Sequence, residues 1–374
     1  MKASKNSKFS FKNLIFTLIC LILIAASVLA QILLTKNQSE TKKSDEISLE
    51  ESQATEEKKK PVTLSFVGDV SLADNWHIAP KYDERGGIKG ILGENILKIM
   101  TESDFMVANS EFTVSTRGTA LNKLYTFRAK PGRLKIYFEM GVDLVSLANN
   151  HVYDYGEIAF LDMLEAFEKY EIPHVGAGRN LAEAEKAYIT EIGGYKFAFV
   201  AATRAEKNIV TAGATENSPG VFRCYDSSEM IRVIKELKKD ESIDFIIPQI
   251  HFGRENSHNL EKEQVESAKA YIDAGADAVV GHHAHVLQGV EIYKDKPIIY
   301  NLGNFLFNQE VVDTAMFQFK ITGSGELEYY MLPALQKDYK TELVDGSKKQ
   351  QIIKDLNSWS VNAKIDDTGK IIKS

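Results

Sequence analysis

The stretch Ala278-Val279-Val280-Gly281-His282-His283-Ala284-His285 decides how the rest of the chain is read. An apolar run of strand length ends in three histidines within four positions. Packing gives no reason to crowd imidazoles there, and their mutual repulsion when protonated is a cost. The pattern points to metal binding or catalysis. Four other apolar runs end in the same way. Residues 63–67 lead into Gly68-Asp69, and 105–108 into Asn109-Ser110-Glu111. Residues 144–148 lead into Asn149-Asn150-His151, and 245–250 into His251. Open α/β sheets gather ligands at the carboxyl ends of their strands, so five clusters distant in sequence are expected to meet.

The donor types narrow the chemistry. Carboxylate, amide oxygen and imidazole together suit Mn, Zn or Fe(II) and exclude a soft thiolate site. Asp69 or Glu111 has the two oxygens needed to bridge a pair of ions, and a pair about 3.5–4 Å apart clamps a phosphoryl group and activates water. The chain carries 45 Lys and Arg against 52 Asp and Glu, a net charge of -7. This excludes the basic footprint of a nucleic-acid binder, and any anionic substrate must be attracted locally, by bound ions. Asp154 follows His151 closely enough to orient it, and stands equally well to cap the next helix. Gly176-Ala177-Gly178-Arg179 lacks the Lys-Ser/Thr ending of a nucleotide loop, which leaves Arg179 as an anion contact. His77, His174 and His258 are expected in loops or solvent.

Outside these clusters, strand-like runs alternate with helical ones (about 91–100, 158–170, 227–239 and 261–274). Residues 188–192 and 196–201 flank Gly193-Gly194 as a hairpin. Alternation argues an α/β fold with antiparallel additions. Further strands (317–321, 327–332), a helix near 348–357 and a last hairpin around 366–369 complete the reading. At the other end, Lys2, Lys5, Lys8 and Lys12 precede an uncharged apolar run, 14–34, long enough to span a bilayer. The lysines predict the N-terminus inside and the remainder outside. The run reads as an uncleaved anchor or a signal peptide, with Val28-Leu29-Ala30 as its cleavage site. Residues 37–60, rich in Glu, Lys, Ser and Thr, read as a disordered charged linker. Of the two cysteines, Cys20 lies in the apolar run, so Cys224 has no disulfide partner.

Taken together, these motifs resemble the capsule-synthesis CapA/PgsA family, linked to poly-gamma-glutamate capsules. The resemblance rests on Phe66-Val67-Gly68-Asp69-Val70, Asn109-Ser110-Glu111, Ser146-Leu147-Ala148-Asn149-Asn150-His151 and Asp154-Tyr155-Gly156. It continues through Gly176-Ala177-Gly178, His251-Phe252-Gly253-Arg254-Glu255, residues 280–289 and residues 297–305. That family is similar to calcineurin-like metallophosphoesterases. The likeness implies a four-layer αββα sandwich with one or two divalent ions (Mn, Fe or Zn), here preceded by a single transmembrane helix. It also implies Asp69, Glu111, Asn150, His251, His283 and His285 as metal ligands, with His151 as general acid assisted by Asp154. Asn149, Arg179, Glu255 and His282 are expected to face substrate. The superfamily's first histidine is replaced by Ser71, one ligand fewer for one ion. The expected organisation is an anchor or signal peptide at 1–36, a linker at 37–60 and the metallophosphoesterase-like domain at 61–310. Residues 311–374 complete that domain or are appended to it. The expected role is that of a membrane-bound, extracytoplasmic hydrolase acting on a phosphoester or on anionic capsule polymer, beside a membrane ligase or synthase. The alternative is a non-enzymatic factor that binds and exports the polymer.

Overall fold

The computed structural model describes residues 26–32, 35–36, 59–205 and 211–374, and the chain divides into two units, 1–58 and 59–374. In the first unit residues 26–32 and 35–36 are helical and exposed. The apolar run expected to anchor the protein lies largely outside the described residues, as does the linker apart from Lys59 and Lys60. Among the described residues no helix is long and apolar enough to cross a membrane.

The second unit is built on fourteen strands in two sheets. Chain order gives β1 (Val62–Val70), β2 (Phe105–Ser110), β3 (Leu144–Ser146), β4 (His174–Val175), β5 (Tyr188–Ile192), β6 (Tyr195–Thr203) and β7 (Phe245–His251). It continues with β8 (Val279–His282), β9 (Val290–Tyr293), β10 (Lys296–Ile299), β11 (Asn304–Leu306), β12 (Val312–Ile321), β13 (Leu327–Lys337) and β14 (Lys340–Leu343). The first sheet runs β14-β13-β12-β1-β2-β3-β4, with β11 also paired to β1. The second runs β9-β10-β8-β7-β6-β5. The centres of both sheets are parallel: β1 to β4 in the first, and β6, β7, β8 and β10 in the second.

Alternation along each strand makes this a sandwich. Phe105 and Val107 of β2, with Phe66 of β1, point into one core shared with Phe197, Phe199 and Ala201 of β6. Met106 and Ala108 point the other way, onto Ile96 and Met100 of α1 (Glu94–Glu102) and Phe160 and Phe167 of α2 (Gly156–Lys169). In the second sheet Ala198 and Val200 face outward, onto Met230 and Ile234 of α3 (Ser228–Leu237) and Tyr271 of α4 (Lys262–Ala274). The order of layers is therefore helix, sheet, sheet, helix. Strands buried on both faces read as continuous apolar runs, as residues 245–250 do. Phenylalanines dominate the join between sheets: Phe105 stacks on Phe199 at 5.1 Å and Phe245 meets Phe319 at 5.3 Å. Each such ring stabilises the fold by about 1.5–3 kcal/mol through burial. Residues 311–374 supply β12 to β14 and α5 (Gly346–Trp359), whose Ile352, Ile353 and Leu356 enter the same core.

Two glycines permit close backbone approach near the strand ends. A Cβ at Gly68 would lie 1.9 Å from the Gly303 carbonyl oxygen, and one at Gly281 2.1 Å from that of Tyr300. The Gly303 carbonyl accepts from the Asp69 N–H at 3.0 Å. Pairing of β1 with β2 slips between Phe66 and Asp69, an irregularity of the kind that re-aims a side chain. The element boundaries differ from the sequence reading where caps decide them. The helix expected from Ile91 starts at Glu94, because Gly93 takes an extended backbone (ψ 151°) and Ile91 and Gly93 hydrogen-bond to Thr341 instead. For α3, Asp226 caps, its Oδ1 accepting from the Ser228 N–H at 2.9 Å, and Ser227 does not.

Candidate metal centre

Asp69 stands at the end of β1, in register with Asn109 on one side and Asn304 on the other. Glu111 follows β2, Asn150 and His151 follow β3, His251 closes β7, and His282 sits beside it at the end of β8. The turn after β8 holds His283 at φ 95° and His285 at φ 58°. A left-handed backbone at two non-glycine residues costs of order 1–3 kcal/mol each and persists only where surroundings enforce it. Here it turns the His285 imidazole toward Asp69 and Glu111 and the His283 imidazole toward His251.

All six residues expected to bind metal join one buried network. His285 Nδ1 lies 3.2 Å from Asp69 Oδ2, and His283 donates its backbone N–H to the same oxygen at 3.3 Å. His251 Nε2 lies 2.9 Å from Asn150 Oδ1 and 3.1 Å from His283 Nδ1. The Asn109 amide donates to Asp69 Oδ1 at 2.8 Å and to Glu111 Oε2 at 3.0 Å. The other Glu111 oxygen, Oε1, is buried and has no hydrogen-bond partner. Around it stand His285 Nε2 at 3.7 Å, His251 Nε2 at 3.8 Å and His151 Nε2 at 4.0 Å. These gaps are too long for hydrogen bonds. They fall inside the span of about 4.2 Å that two donors reach across one ion at ~2.1 Å bonds. Asp69, Glu111 and His251 each place a donor atom within 4.8 Å of the others. A divalent cation fits this donor set, because it satisfies the orphaned oxygen and takes imidazole lone pairs that otherwise face one another.

Protonation agrees with that fit. Burial drives Glu111 well above the usual carboxylate range, and the charge of Asp69 adds to it. Burial also raises Asp69, but its hydrogen bond and attraction to His285 outweigh that and hold it low. His251 is pushed well below its ordinary value by burial and then by the neighbouring imidazoles. Burial brings His282 down to about 4 and His283 to about 3. For His285 burial acts downward too, yet Asp69 prevails and raises it. Neutral imidazoles are competent ligands.

His151 and Asp154 form the adjoining pair. Asp154 Oδ2 contacts His151 Nδ1 at 2.7 Å and accepts from the Phe127 N–H at 2.8 Å, while Oδ1 pairs with Lys123 at 2.9 Å. No side chain caps α2. Of the two positions open to Asp154, the structure takes the one against His151. Lys123, buried to 7% exposure and also bonded to the Asn150 carbonyl, was not found from sequence. A single lysine in a polar loop carries no signal. Asn109 and Asn304 gain a role only in the fold: the Asn109 amide holds Asp69 and Glu111, and Asn304 Oδ1 lies 2.8 Å from His285 Nδ1.

The residues expected to face substrate divide. Glu255 lines the open cavity above the cluster with His151 and His285. Asn149 is fully buried, donating to the Ser110 carbonyl and Asn109 Oδ1 at 2.8 and 3.2 Å, so it braces the strand ends instead. His282 is buried behind the cluster, 3.7 Å from Asp69 and 3.3 Å from Gln249. Arg179 is not brought to the cluster: Glu168 takes its guanidinium at 2.6 and 2.8 Å, in a separate cavity beside His174. Local carboxylates, unseen in the glycine-rich motif, explain the difference. The three histidines expected in loops or solvent also have defined places: His77 lines the cavity, His174 opens β4 beside Phe167, and His258 stacks on Trp359 at 4.1 Å.

Residues 63–309 match a family model described as "Bacterial capsule synthesis protein PGA_cap". The chain is 31% identical over 319 residues to "PGA biosynthesis protein CapA" of Bacillus subtilis (strain 168), covering 83% of this chain and 81% of that one. It is 28% identical over 320 residues to "Capsule biosynthesis protein CapA" of Bacillus anthracis, covering 82% and 76%. Among solved structures, the NAD nucleotidase of Haemophilus influenzae aligns at 14% identity and a TM-score of 0.41. That alignment covers 80% of this chain and 57% of that one, too loose a likeness to carry an argument.

Two outcomes are expected of the metal-free protein. Glu111→Gln removes a carboxyl that ionises freely in the unfolded chain but is held toward its protonated form by burial in the fold, so near pH 7 it should raise stability by about 1–3 kcal/mol. It should also abolish the gain that Mn or Zn gives the wild type. Thermal melts with and without ion check both. The second outcome is acid sensitivity. Lowered folded values at His251, His282 and His283 mean that their contribution is complete above about pH 6.5 and is lost as pH falls from there. The raised values of His285 and Glu111 act oppositely. Between about pH 4.5 and 6.5 the unfolded chain protonates four imidazoles, against His285 and Glu111 in the folded one. A net of roughly two protons makes stability fall by up to about 3 kcal/mol per pH unit. Urea titrations at pH 7 and 5.5 measure it; equal stability at both would contradict the burial of neutral imidazoles.

Proposed function

This chain belongs to the bacterial capsule synthesis protein family PGA_cap, and from that premise we propose that it is an extracytoplasmic, membrane-anchored phosphoester hydrolase of capsule polymer synthesis. The observation that carries the hydrolase reading is Glu111 Oε1, buried, unpartnered and ringed by three imidazole nitrogens within 4.0 Å. Glu111, His251, His285 and Asp69 would hold a divalent ion, with Asn150 and His283 able to serve a second. Such an ion supplies Lewis acidity toward a phosphoryl oxygen and lowers the pKa of water. The apolar run 14–34 with its preceding lysines supports the anchor and the outward placement of the domain. The names of the Bacillus relatives support a role beside the polymer-making machinery, with poly-gamma-glutamate or its linkage as the material handled.

The chain's own residues divide the remaining work. His151 stands on the cavity wall with Nδ1 against Asp154 and Nε2 toward the cluster. Asp154 is fixed by Lys123 and the Phe127 N–H, so it holds the His151 proton at Nδ1 and orients the ring. The protonated ring then presents an Nε2–H to a leaving oxygen, the geometry of a general acid. Asn109 and Asn304 keep Asp69 and His285 aimed. One observation favours the second reading, a polymer-binding export factor. Ser71, where related sites use histidine, is buried with an unpartnered hydroxyl, which leaves one ion fewer ligands.

The test is turnover of p-nitrophenyl phosphate and bis-p-nitrophenyl phosphate by the Mn-loaded full chain. His151→Asn should lower kcat by about 10²–10⁴-fold with KM little changed. Activity indifferent to both chelator and His151→Asn sinks the hydrolase reading. A protein that binds ion, turns over nothing and still supports capsule in a His151→Asn strain is the export factor.

A further inference from the structure

The cavity above the cluster has a lining that the metal site does not use. Its volume is about 240 Å³, and His151 and His285 form part of its wall. From them a continuous aromatic face extends. The Phe127 ring lies 4.4 Å from that of His151, and the Phe307 ring 4.6 Å from that of His285. Phe127 and Phe307 meet edge to face at 5.5 Å. Trp76 continues the face, 4.8 Å from Phe127 and 5.6 Å from Tyr125. Much of the remaining lining is carboxamide and carboxylate, including Asn308, Gln309, Glu255 and Glu310. Among the described residues that line it there is no Lys or Arg.

We propose that this cavity seats a neutral saccharide ring, so that the substrate of the site is a phosphoester of a sugar. The inference rests on the phosphoester reading for the reacting group and adds what that group is attached to. Charge argues against the obvious rival. A polyglutamate segment would meet Glu255 and Glu310 with no lysine or arginine in the lining to receive it. Burial also lowers the pKa of His77, which keeps that ring neutral. Shape argues against a nucleobase. Trp76 is inclined 53° to Phe127 and 67° to Tyr125, so these rings form no parallel slot. The near-parallel pair Tyr125 and Phe127 is 6.4 Å apart, less than the ~7 Å that a ring inserted at ~3.5 Å from each would need. A puckered ring needs no slot. Its C–H face packs on an amphipathic aromatic surface, and its hydroxyls match carboxamides and carboxylates that both accept and orient. Size agrees, since the volume falls below the ~300 Å³ at which drug-sized pockets begin. It suits one ring rather than a run of polymer.

Trp76 reports on the cavity directly, because Trp359 is the only other tryptophan. The full chain carrying Trp359→Phe, in chelator and a sugar-free zwitterionic detergent, is titrated with N-acetylglucosamine, adenosine and tri-γ-glutamate. A saturable change in Trp76 emission with N-acetylglucosamine, at a dissociation constant on the order of 1 mM, is expected. Glu255→Ala with Gln309→Ala should weaken it at least about fivefold, the equivalent of one hydrogen bond. Both side chains are exposed, so their loss does not threaten folding. If Trp359→Phe misfolds, ligand-observed saturation-transfer NMR on the wild type replaces it. No saturable sugar binding, or tighter binding of adenosine or tri-γ-glutamate, overturns the inference. Chelator makes the titration blind to the ion, so its failure is distinct from a failure of the hydrolase reading.

Discussion

A carboxylate oxygen buried without a partner is the constraint on which the site depends. Desolvating an ionised carboxylate costs several kcal/mol unless something of opposite charge compensates it. Glu111 has Asn109 on one oxygen, no hydrogen-bond partner on the other, and the Asp69 carboxylate and three imidazoles close by. Protonating Glu111 relieves the charge and leaves the imidazoles crowded. Protonating the imidazoles places several like charges within about 4 Å. A divalent cation removes both costs together, which is why the donor set reads as a metal centre and not as an ion-pair network.

The fold exists around that constraint in a specific sense. Parallel strands in both sheets end at one edge of the sandwich, and the phenylalanine-rich join between sheets fixes how far apart those ends lie. Gly68 and Gly281 let neighbouring backbones come closer than a side chain allows. The strained turn at His283 and His285 is affordable because the core on either side is rigid. Outward from the cluster, the lining becomes aromatic, carboxamide and carboxylate. On the proposed reading, the ion and the recognition of what it acts on fall to different parts of the same rim.

Much of this was legible in the sequence, for physical reasons. Doubly buried parallel strands announce themselves as apolar runs, and polar residues at their ends have few structural excuses. The clusters that hold Asp69, Glu111, Asn150, His251, His283 and His285 were legible in that way, the resemblance singled out these six within them, and they meet in one network. The family read from the same motifs is the one the comparisons return. What sequence missed depends on contacts between distant segments. Lys123 matters because a loop folds it under Asp154, Asn304 because β11 inserts beside β1, and Trp76 and Phe307 because they converge from separate loops. Arg179 lies away from the cluster for the converse reason, since the carboxylate that takes it is brought to it by the fold.

Crystals of the chain grown with Mn or Zn, measured on either side of the metal's absorption edge, put the central claim to its most direct test. The account predicts an anomalous peak bonded at about 2.0–2.3 Å to Glu111 Oε1 and to ring nitrogens of His251 and His285. A map with no peak there, and with Glu111 Oε1 instead hydrogen-bonded to a protein group, would contradict it.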